Sequence, residues 1–493
     1  MTKIILNGHE IEVDPKQPLI RACHDHGVAV PMYCYHPGLT PVGSCRICQV
    51  EVKLGEAPPR VVVACRTPVA EGMVVDTEAA KAHDARREVL EFLLKNHPLD
   101  CPICDKAGEC DLQDYAFVEG QAEGRSSEPR RKLEKRKSLG DVIVLDEERC
   151  ILCSRCVRFF EEVTKKPQLT VSGLGARSVI STFMDRPLTG NYQGNLADIC
   201  PVGALTTKEF RFQARVWNLS KSLSTCGECS RGCAITVEVL RSGVVKRVRP
   251  RYDHLVNQWW MCDVGRFALE GHNLPSAADA DLCAGRLEGA ALRGYSGLER
   301  APLEDALEVA ADALAGRETY LVLSPDVTQE QATAALALAE TLGAAACFVS
   351  PPPNGLADDL LHTGDPCANR KGLEMLGVEG LGAEQALERL AGAQAALLVG
   401  VGVGAYLGEE GLAALSGDLR LVQFDLVLTR AAALTVGVGV PDVFETIGHR
   451  FNVDGVRREL APARPMPSGV EPLERSLGAL RARVAARTTE AAG

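Results

Sequence analysis

Sixteen of the chain's 19 cysteines fall within its first 262 residues, leaving only Cys283, Cys347 and Cys367 beyond. No other feature constrains the fold so strongly, because thiols at that density have to be paired, ligated or buried. The opening run, MTKIILNGHEIEV, has no basic segment followed by an apolar one, so export to a disulfide-forming compartment is not expected. The clustered cysteines therefore read as metal ligands. With 493 residues, 46% of them hydrophobic and 24% charged, the chain has room for roughly three or four globular domains. Its net charge of -11 argues against a surface built to grip a phosphate backbone, so no nucleic-acid partner is expected.

The sequence pattern divides the chain at 1–76, 77–118, 138–218, 219–275 and 276–493. Lys3 to Leu6, the turn Asn7-Gly8 and Glu10 to Val13 predict a hairpin, and Leu19 to Asp25 a helix packed on it. Thr77 is placed to cap a helix from Glu78 to Asn96, which delivers the chain to His97. The basic, polar stretch Gly120 to Lys137 reads as a solvated connection, with docking of an acidic partner as the alternative. After Arg266 the composition shifts, Lys371 being the only lysine left. There, helical and strand signals alternate: Leu303–Leu314, Tyr320–Leu323, Gln329–Leu342, Ala345–Val349, Glu384–Leu390, Ala395–Val399 and Leu419–Phe424. Thr328 with Gln331 forms a capping-box pattern, and Gly343 stands where a helix ends. This alternation predicts an α/β domain with a mainly parallel sheet. The uncharged run Ala391 to Gly408 carries six glycines and reads as a buried strand entering a glycine-rich turn, so no direct membrane span is expected.

Four ligand sets can be drawn from the cysteines. Cys34, Cys45, Cys48 and Cys65 have ten, two and sixteen residues between successive members, and such a set holds either one zinc ion or a 2Fe-2S cluster. His97, Cys101, Cys104 and Cys110 would suit a Cys3His zinc site on spacing alone. Cys150, Cys153 and Cys156 form a CxxCxxC run with a later Cys200-Pro201, the bacterial ferredoxin pattern for a 4Fe-4S cluster. Cys226, Cys229 and Cys233 with the distant Cys262 form the fourth set, a zinc ribbon being its alternative. Cys23, Cys283, Cys347 and Cys367 read as small buried thiols.

These motifs carry a resemblance. The loop around YCYH and GSCRIC resembles that of plant-type ferredoxins; HPLDCPICDKAGEC resembles the His/Cys3 4Fe-4S site of respiratory complex I and NAD-reducing hydrogenases; CGECSRGC with WWMC resembles the 4Fe-4S site of the molybdopterin oxidoreductases. Together they resemble the large iron–sulfur subunit of bacterial NADH-quinone oxidoreductase. The resemblance implies a multidomain α+β and α/β fold. It comprises an N-terminal β-grasp 2Fe-2S ferredoxin-like domain, His/Cys3 and bacterial-ferredoxin-like 4Fe-4S domains, and a truncated C-terminal molybdopterin-oxidoreductase-like α/β domain. It implies one 2Fe-2S and three 4Fe-4S clusters on the sixteen ligands above, with Cys200 closing the Cys150 cluster, and no catalytic residue. The implied partners are a flavoprotein subunit that oxidises NADH, a small iron–sulfur subunit leading to quinone, and other peripheral-arm subunits. The implied location is the cytoplasmic side of the cell membrane, peripheral. The Cys226 cluster is implied to lie off the main electron route, with a structural role.

Beyond residue 266 the resemblance is to a degenerate molybdopterin-oxidoreductase fold, in which Asn452, Gly455 and Arg457 are recognisable but misspaced, so no molybdopterin is expected. Gly400, Gly402 and Gly404, followed by Asp425, approach a dinucleotide fingerprint but read GxGxG, and a tight turn without ligand is expected. Arg241, Lys246, Arg247, Arg249 and Arg251 either screen the fourth cluster or line a solvated strand. The alternative functions are a hydrogenase diaphorase subunit, a molybdenum formate dehydrogenase and a zinc-stabilised scaffold without redox activity.

Overall fold

The computed structural model describes residues 1–492, which form two compact units, Met1–Leu219 and Ser220–Gly493. In the first unit, Thr2–Leu6 and His9–Val13 pair antiparallel through Asn7 (φ 48°) and Gly8 (φ 85°), the left-handed pair that a tight hairpin turn requires. The five-stranded sheet has the order His9–Val13, Thr2–Leu6, Met73–Asp76, Gln49–Lys53 and Arg60–Val63, its second and third strands parallel. Helix Leu19–Asp25 lays Leu19, Ile20 and Cys23 into a core with Ile4, Leu6, Val50 and Val75. Each such aliphatic side chain contributes on the order of 1.5–3 kcal/mol when fully buried.

The next helix spans Ala80–Asn96, and Thr77 does not cap it. Thr77 instead takes a hydrogen bond from Asn7 Nδ2 at 2.8 Å and donates its N–H to Asn7 Oδ1 at 2.8 Å, joining the ends of two neighbouring parallel strands. The helix is anchored by a buried cation. Arg86 donates to the carbonyls of Gln49 (2.9 Å) and Thr77 (2.8 Å) and to Glu119 Oε1 (2.7 Å). The stretch 120–137 is exposed but strapped down, with Arg125 on Glu88 and Glu91 and Lys135 on Asp100 (2.6 Å) and Glu148 (2.8 Å).

In the second unit, Leu219–Thr225, Ala234–Leu240 and Val245–Pro250 make a three-stranded sheet. Beyond it lies an eight-stranded sheet ordered Leu298–Ala301, Ala290–Arg293, Leu434–Gly439, Arg420–Asp425, Ala395–Val399, Thr319–Leu323, Ala345–Val349, Glu379–Leu381. Its last six strands are parallel and the first two join antiparallel. Apolar layers cover both faces. Helix Gln329–Leu342 carries the expected capping box of Thr328 and Gln331 and ends on Gly343 at φ 66°. A C-terminal helix, Leu473–Ala492, which periodicity did not single out, buries Leu473, Leu477, Leu480 and Val484 against helices Leu303–Leu314 and Gln329–Leu342. Among the described residues no helix is long and apolar enough to cross a membrane; the run from Ala391 is the buried strand Ala395–Val399 and its glycine turn.

Candidate iron–sulfur sites

In the first set, Cys34 and Cys65 lie within hydrogen-bonding reach, and so do Cys34 and Cys45 and Cys48 and Cys65, so all four thiols gather in one place. The Cys34 N–H donates to Cys45 Sγ at 3.4 Å, and hydrogen bonds from the Cys45 and Cys65 thiols hold Cys34 below the ordinary thiol range. The loop that carries them bends through left-handed Gly43 (φ 67°) and Arg46 (φ 62°). A Cβ on Gly43 would stand 2.8 Å from Arg66 Cγ, so the close turn requires glycine there.

In the second set, helix Ala80–Asn96 ends at His97, and the turn Cys101–Ile103 follows. Cys104 and Cys110 are buried while Cys101 is exposed. His97 Nδ1 is buried without a hydrogen-bond partner, and burial lowers the imidazole pKa to about 4, leaving it in the neutral form a metal binds. An orphaned, buried ring nitrogen fits a histidine ligand. Gly203, three residues after Cys200, closes on this site: a Cβ there would overlap the Cys104 sulfur.

The third set shares one small apolar cavity: Cys150, Cys153, Cys156 and Cys200 line it with Leu145, Ile180, Val202 and Leu205. Leu152 (φ 53°) and Ser154 (φ 59°) hold the CxxCxxC loop in left-handed turns, and the Leu152 N–H donates to Cys150 Sγ at 3.4 Å. Burial pushes Cys150 up to about 12 and Cys153 to about 11, so these surroundings by themselves favour neutral thiols. Ligation there would displace protons.

Two arginines that the spacing of the motifs does not reveal join the first and third sets. Arg155 and Arg158 sit on the turn that carries Cys156, 5% and 6% exposed. Arg155 donates to the carbonyls of Tyr35 (2.6 Å) and Ile199 (2.9 Å), one residue from Cys34 and one from Cys200. Arg158 donates to the carbonyls of Cys34, Thr40 (2.6 Å) and Cys153 (3.4 Å). The third set also meets the second, since the Asp111 N–H donates to the Pro201 carbonyl (3.1 Å) and Arg149 pairs with Asp100 (2.9 Å). The Cys150 loop therefore touches the surroundings of both other sets. Tyr33 and Tyr115 make a further contact, with ring centroids 5.4 Å apart.

The fourth set lies in the second unit, and Cys226, Cys229, Cys233 and Cys262 are each 7% exposed or less. The Cys226 N–H donates to the Cys233 carbonyl (2.9 Å), and Cys262 caps helix Asp263–Phe267, its sulfur accepting from the Gly265 N–H at 3.5 Å. A Cβ on Gly265 would stand 2.7 Å from Cys226 Sγ and 3.9 Å from Cys262 Sγ, which places both sulfurs around one spot. The segment around Asn452, misspaced as a cofactor motif, packs on this loop: the Val453 N–H donates to the Ser230 carbonyl (2.8 Å) and Arg458 Nε to that of Gly232 (2.8 Å). The strand cations behave otherwise. Arg247 Nε donates to buried Glu238 at 2.7 Å, and Arg249 stands 4.0 Å from the same carboxylate.

Cys23, Cys347 and Cys367 are fully buried and Cys283 partly so. Asp425, placed by spacing as a ribose acid, turns its carboxylate onto its own glycine loop, accepting N–H bonds from Gly402 (2.7 Å), Gly404 (3.2 Å) and Leu426 (2.7 Å). Among the described residues no three His, Cys, Asp or Glu side chains close onto one point as a single ion would require.

Four family models match, each over one cysteine set. They are a 2Fe-2S iron-sulfur cluster binding domain at 1–80, the NADH-ubiquinone oxidoreductase-G iron-sulfur binding region at 86–125, the ferredoxin-like domain of NADH-quinone oxidoreductase subunit 3 at 140–206, and the molybdopterin oxidoreductase Fe4S4 domain at 219–273. These matched domains define a multidomain protein of iron–sulfur binding modules. Its relatives include the mitochondrial NADH-ubiquinone oxidoreductase 78 kDa subunit of Neurospora crassa, 42% identical over 271 residues that cover 55% of this chain and 36% of that one. Another is an NADH-quinone oxidoreductase subunit of Rickettsia bellii, 37% identical over 314 residues, 64% of this chain and 44% of that one. The resemblance to the large iron–sulfur subunit of NADH-quinone oxidoreductase holds at this level of identity, although the matched stretch spans less than half the length of these curated relatives. A solved NAD+-reducing [NiFe]-hydrogenase chain is 29% identical, covering 44% of this chain and 91% of its own, with a TM-score of 0.39.

Proposed function

We propose that the chain is an electron-transfer iron–sulfur subunit of the peripheral arm of NADH-quinone oxidoreductase, taking electrons from the flavin of a partner subunit and passing them toward quinone. The observation that carries this reading is the match of four modules, each containing one of the cysteine sets, to iron–sulfur domains. Cys34, Cys45, Cys48 and Cys65 would hold a 2Fe-2S cluster. His97, Cys101, Cys104 and Cys110; Cys150, Cys153, Cys156 and Cys200; and Cys226, Cys229, Cys233 and Cys262 would each hold a 4Fe-4S cluster. Bound clusters supply one-electron storage without group transfer, so no acid, base or nucleophile is needed.

What the chain's own residues do is hold, dry and order the sites. The apolar lining of the third cavity excludes water, the orphaned His97 nitrogen offers a neutral ligand, and Arg155 and Arg158 fix the first loop against the third. The contacts of the Cys150 loop support placing its site between the first and second. The partners in this reading are the NADH-oxidising flavoprotein, the small iron–sulfur subunit leading to quinone and other peripheral-arm subunits, at the cytoplasmic face of the membrane. The α/β domain of 276–493 is a molybdopterin-oxidoreductase-like scaffold without molybdopterin. Asn452, from the misspaced motif, supports this by bonding its side chain to the Arg231 carbonyl (3.2 Å).

Iron and acid-labile sulfide analysis of the full chain tests the reading, with about 14 iron atoms per chain expected from one 2Fe-2S and three 4Fe-4S clusters. A colourless protein, silent in electron paramagnetic resonance after dithionite reduction, would overturn it in favour of a zinc scaffold.

A further inference from the structure

We infer that Arg450 is the fixed cation of the fourth site, its guanidinium seated against the Cys226–Cys229 loop and raising the potential of the cluster held there. The inference rests on the reading of Cys226, Cys229, Cys233 and Cys262 as cluster ligands given above. Arg450 lies on the short strand Gly448–Phe451, which is pinned on both sides: the His449 N–H donates to Glu330 Oε2 (3.0 Å) and the Phe451 N–H to Asn369 Oδ1 (2.9 Å). The side chain is 6% exposed. Nη2 donates to the Asp326 main-chain carbonyl, while Nε and Nη1 are buried with no hydrogen-bond partner.

The loop is built to admit this group. A Cβ on Gly227, the residue after Cys226, would stand 3.0 Å from Arg450 Nη1. Asp326, Tyr406, Glu228 and Cys226 act electrostatically on the guanidinium, two of them carboxylates. Two other cations near the loop are already matched to carboxylates, Arg231 to Asp454 (2.9 Å) and Arg458 to Asp253 (2.7 Å). Reduction of a cluster by one electron adds one negative charge. A cation out of water, little screened by salt, favours that reduced form, and N–H groups lacking acceptors favour sulfur near them.

The test uses the full chain, reduced stepwise with dithionite under electron paramagnetic resonance, with the fourth signal identified by its loss in Cys262→Ala. In Arg450→Gln, iron and sulfide content stays at the wild-type level and the midpoint of that signal alone falls; Arg450→Lys keeps it close to wild type. If no signal disappears in Cys262→Ala, the reading of the site itself fails. If the fourth signal persists in Arg450→Gln with an unmoved midpoint, this inference fails. Loss of the cluster in Arg450→Gln with recovery in Arg450→Lys supports the charge, whereas loss in both overturns it in favour of packing alone.

Discussion

At the scale of single residues, the sites depend on groups that carry no ligand. Gly203 is one. Because a Cβ there would overlap the Cys104 sulfur, Gly203→Ala should lower iron content by up to one 4Fe-4S cluster per chain while leaving the first set intact, and iron analysis with resonance spectra checks both halves. In the proposed second site His97 would contribute a neutral donor where a cysteine would bring a thiolate. His97→Cys should therefore keep the cluster and shift its midpoint downward in a redox titration. His272 gives the clearest pH signature. Burial opposes its charge, but Asp442 (3.0 Å) and Glu228 (3.4 Å) raise its pKa to about 9. A raised histidine stabilises the fold fully below its unfolded value of about 6.5 and loses that contribution as pH climbs through 9. Denaturant unfolding of the second unit should thus lose up to about 3 kcal/mol between those limits, and His272→Gln should remove that slope.

At the scale of elements, legibility tracked how local the determining contacts are. The helices and strands expected between Leu303 and Phe424 follow from periodicity and caps within each segment, and Thr328 with Gln331 behaves as its spacing predicts, whereas the C-terminal helix Leu473–Ala492 does not stand out. Thr77 fails as a cap because its partner, Asn7, lies 70 residues away on the sheet. Arg247 looks like a free surface cation until strand register sets it opposite Glu238. The cysteine motifs stand out through spacing and neighbours, whereas Arg155, Arg158 and Arg450 do not, since each acts through a carbonyl or glycine remote in sequence. The turn bearing Arg155 and Arg158 supports a further prediction. Arg158→Ala strands the carbonyls of Cys34, Thr40 and Cys153 and should cost the first unit about 2–4 kcal/mol. Hydrogen exchange should show protection falling around residues 34–48 and 150–156 together.

At the scale of the whole molecule, the two units draw stability from different sources. The second unit has an eight-stranded sheet sandwiched between apolar layers, whereas the stretches 97–110 and 150–156 of the first contain only short turns between their cysteines. Stripping the clusters with acid and chelator should leave the far-ultraviolet dichroism of 276–493 largely intact and cooperative on heating. Proteolysis of the stripped chain should then concentrate between 97 and 156. Equal resistance of both regions would contradict this division.

The arginine turn also bears on how such a chain can be recombined. Arg155 and Arg158 donate to main-chain oxygens of Tyr35, Cys34 and Thr40. The join thus reads a backbone trace, and a foreign 2Fe-2S module grafted onto it has to reproduce the path of residues 34–40 and keep the Cys34 thiol, while the side chain at Thr40, whose carbonyl alone is read by Arg158, is free to vary.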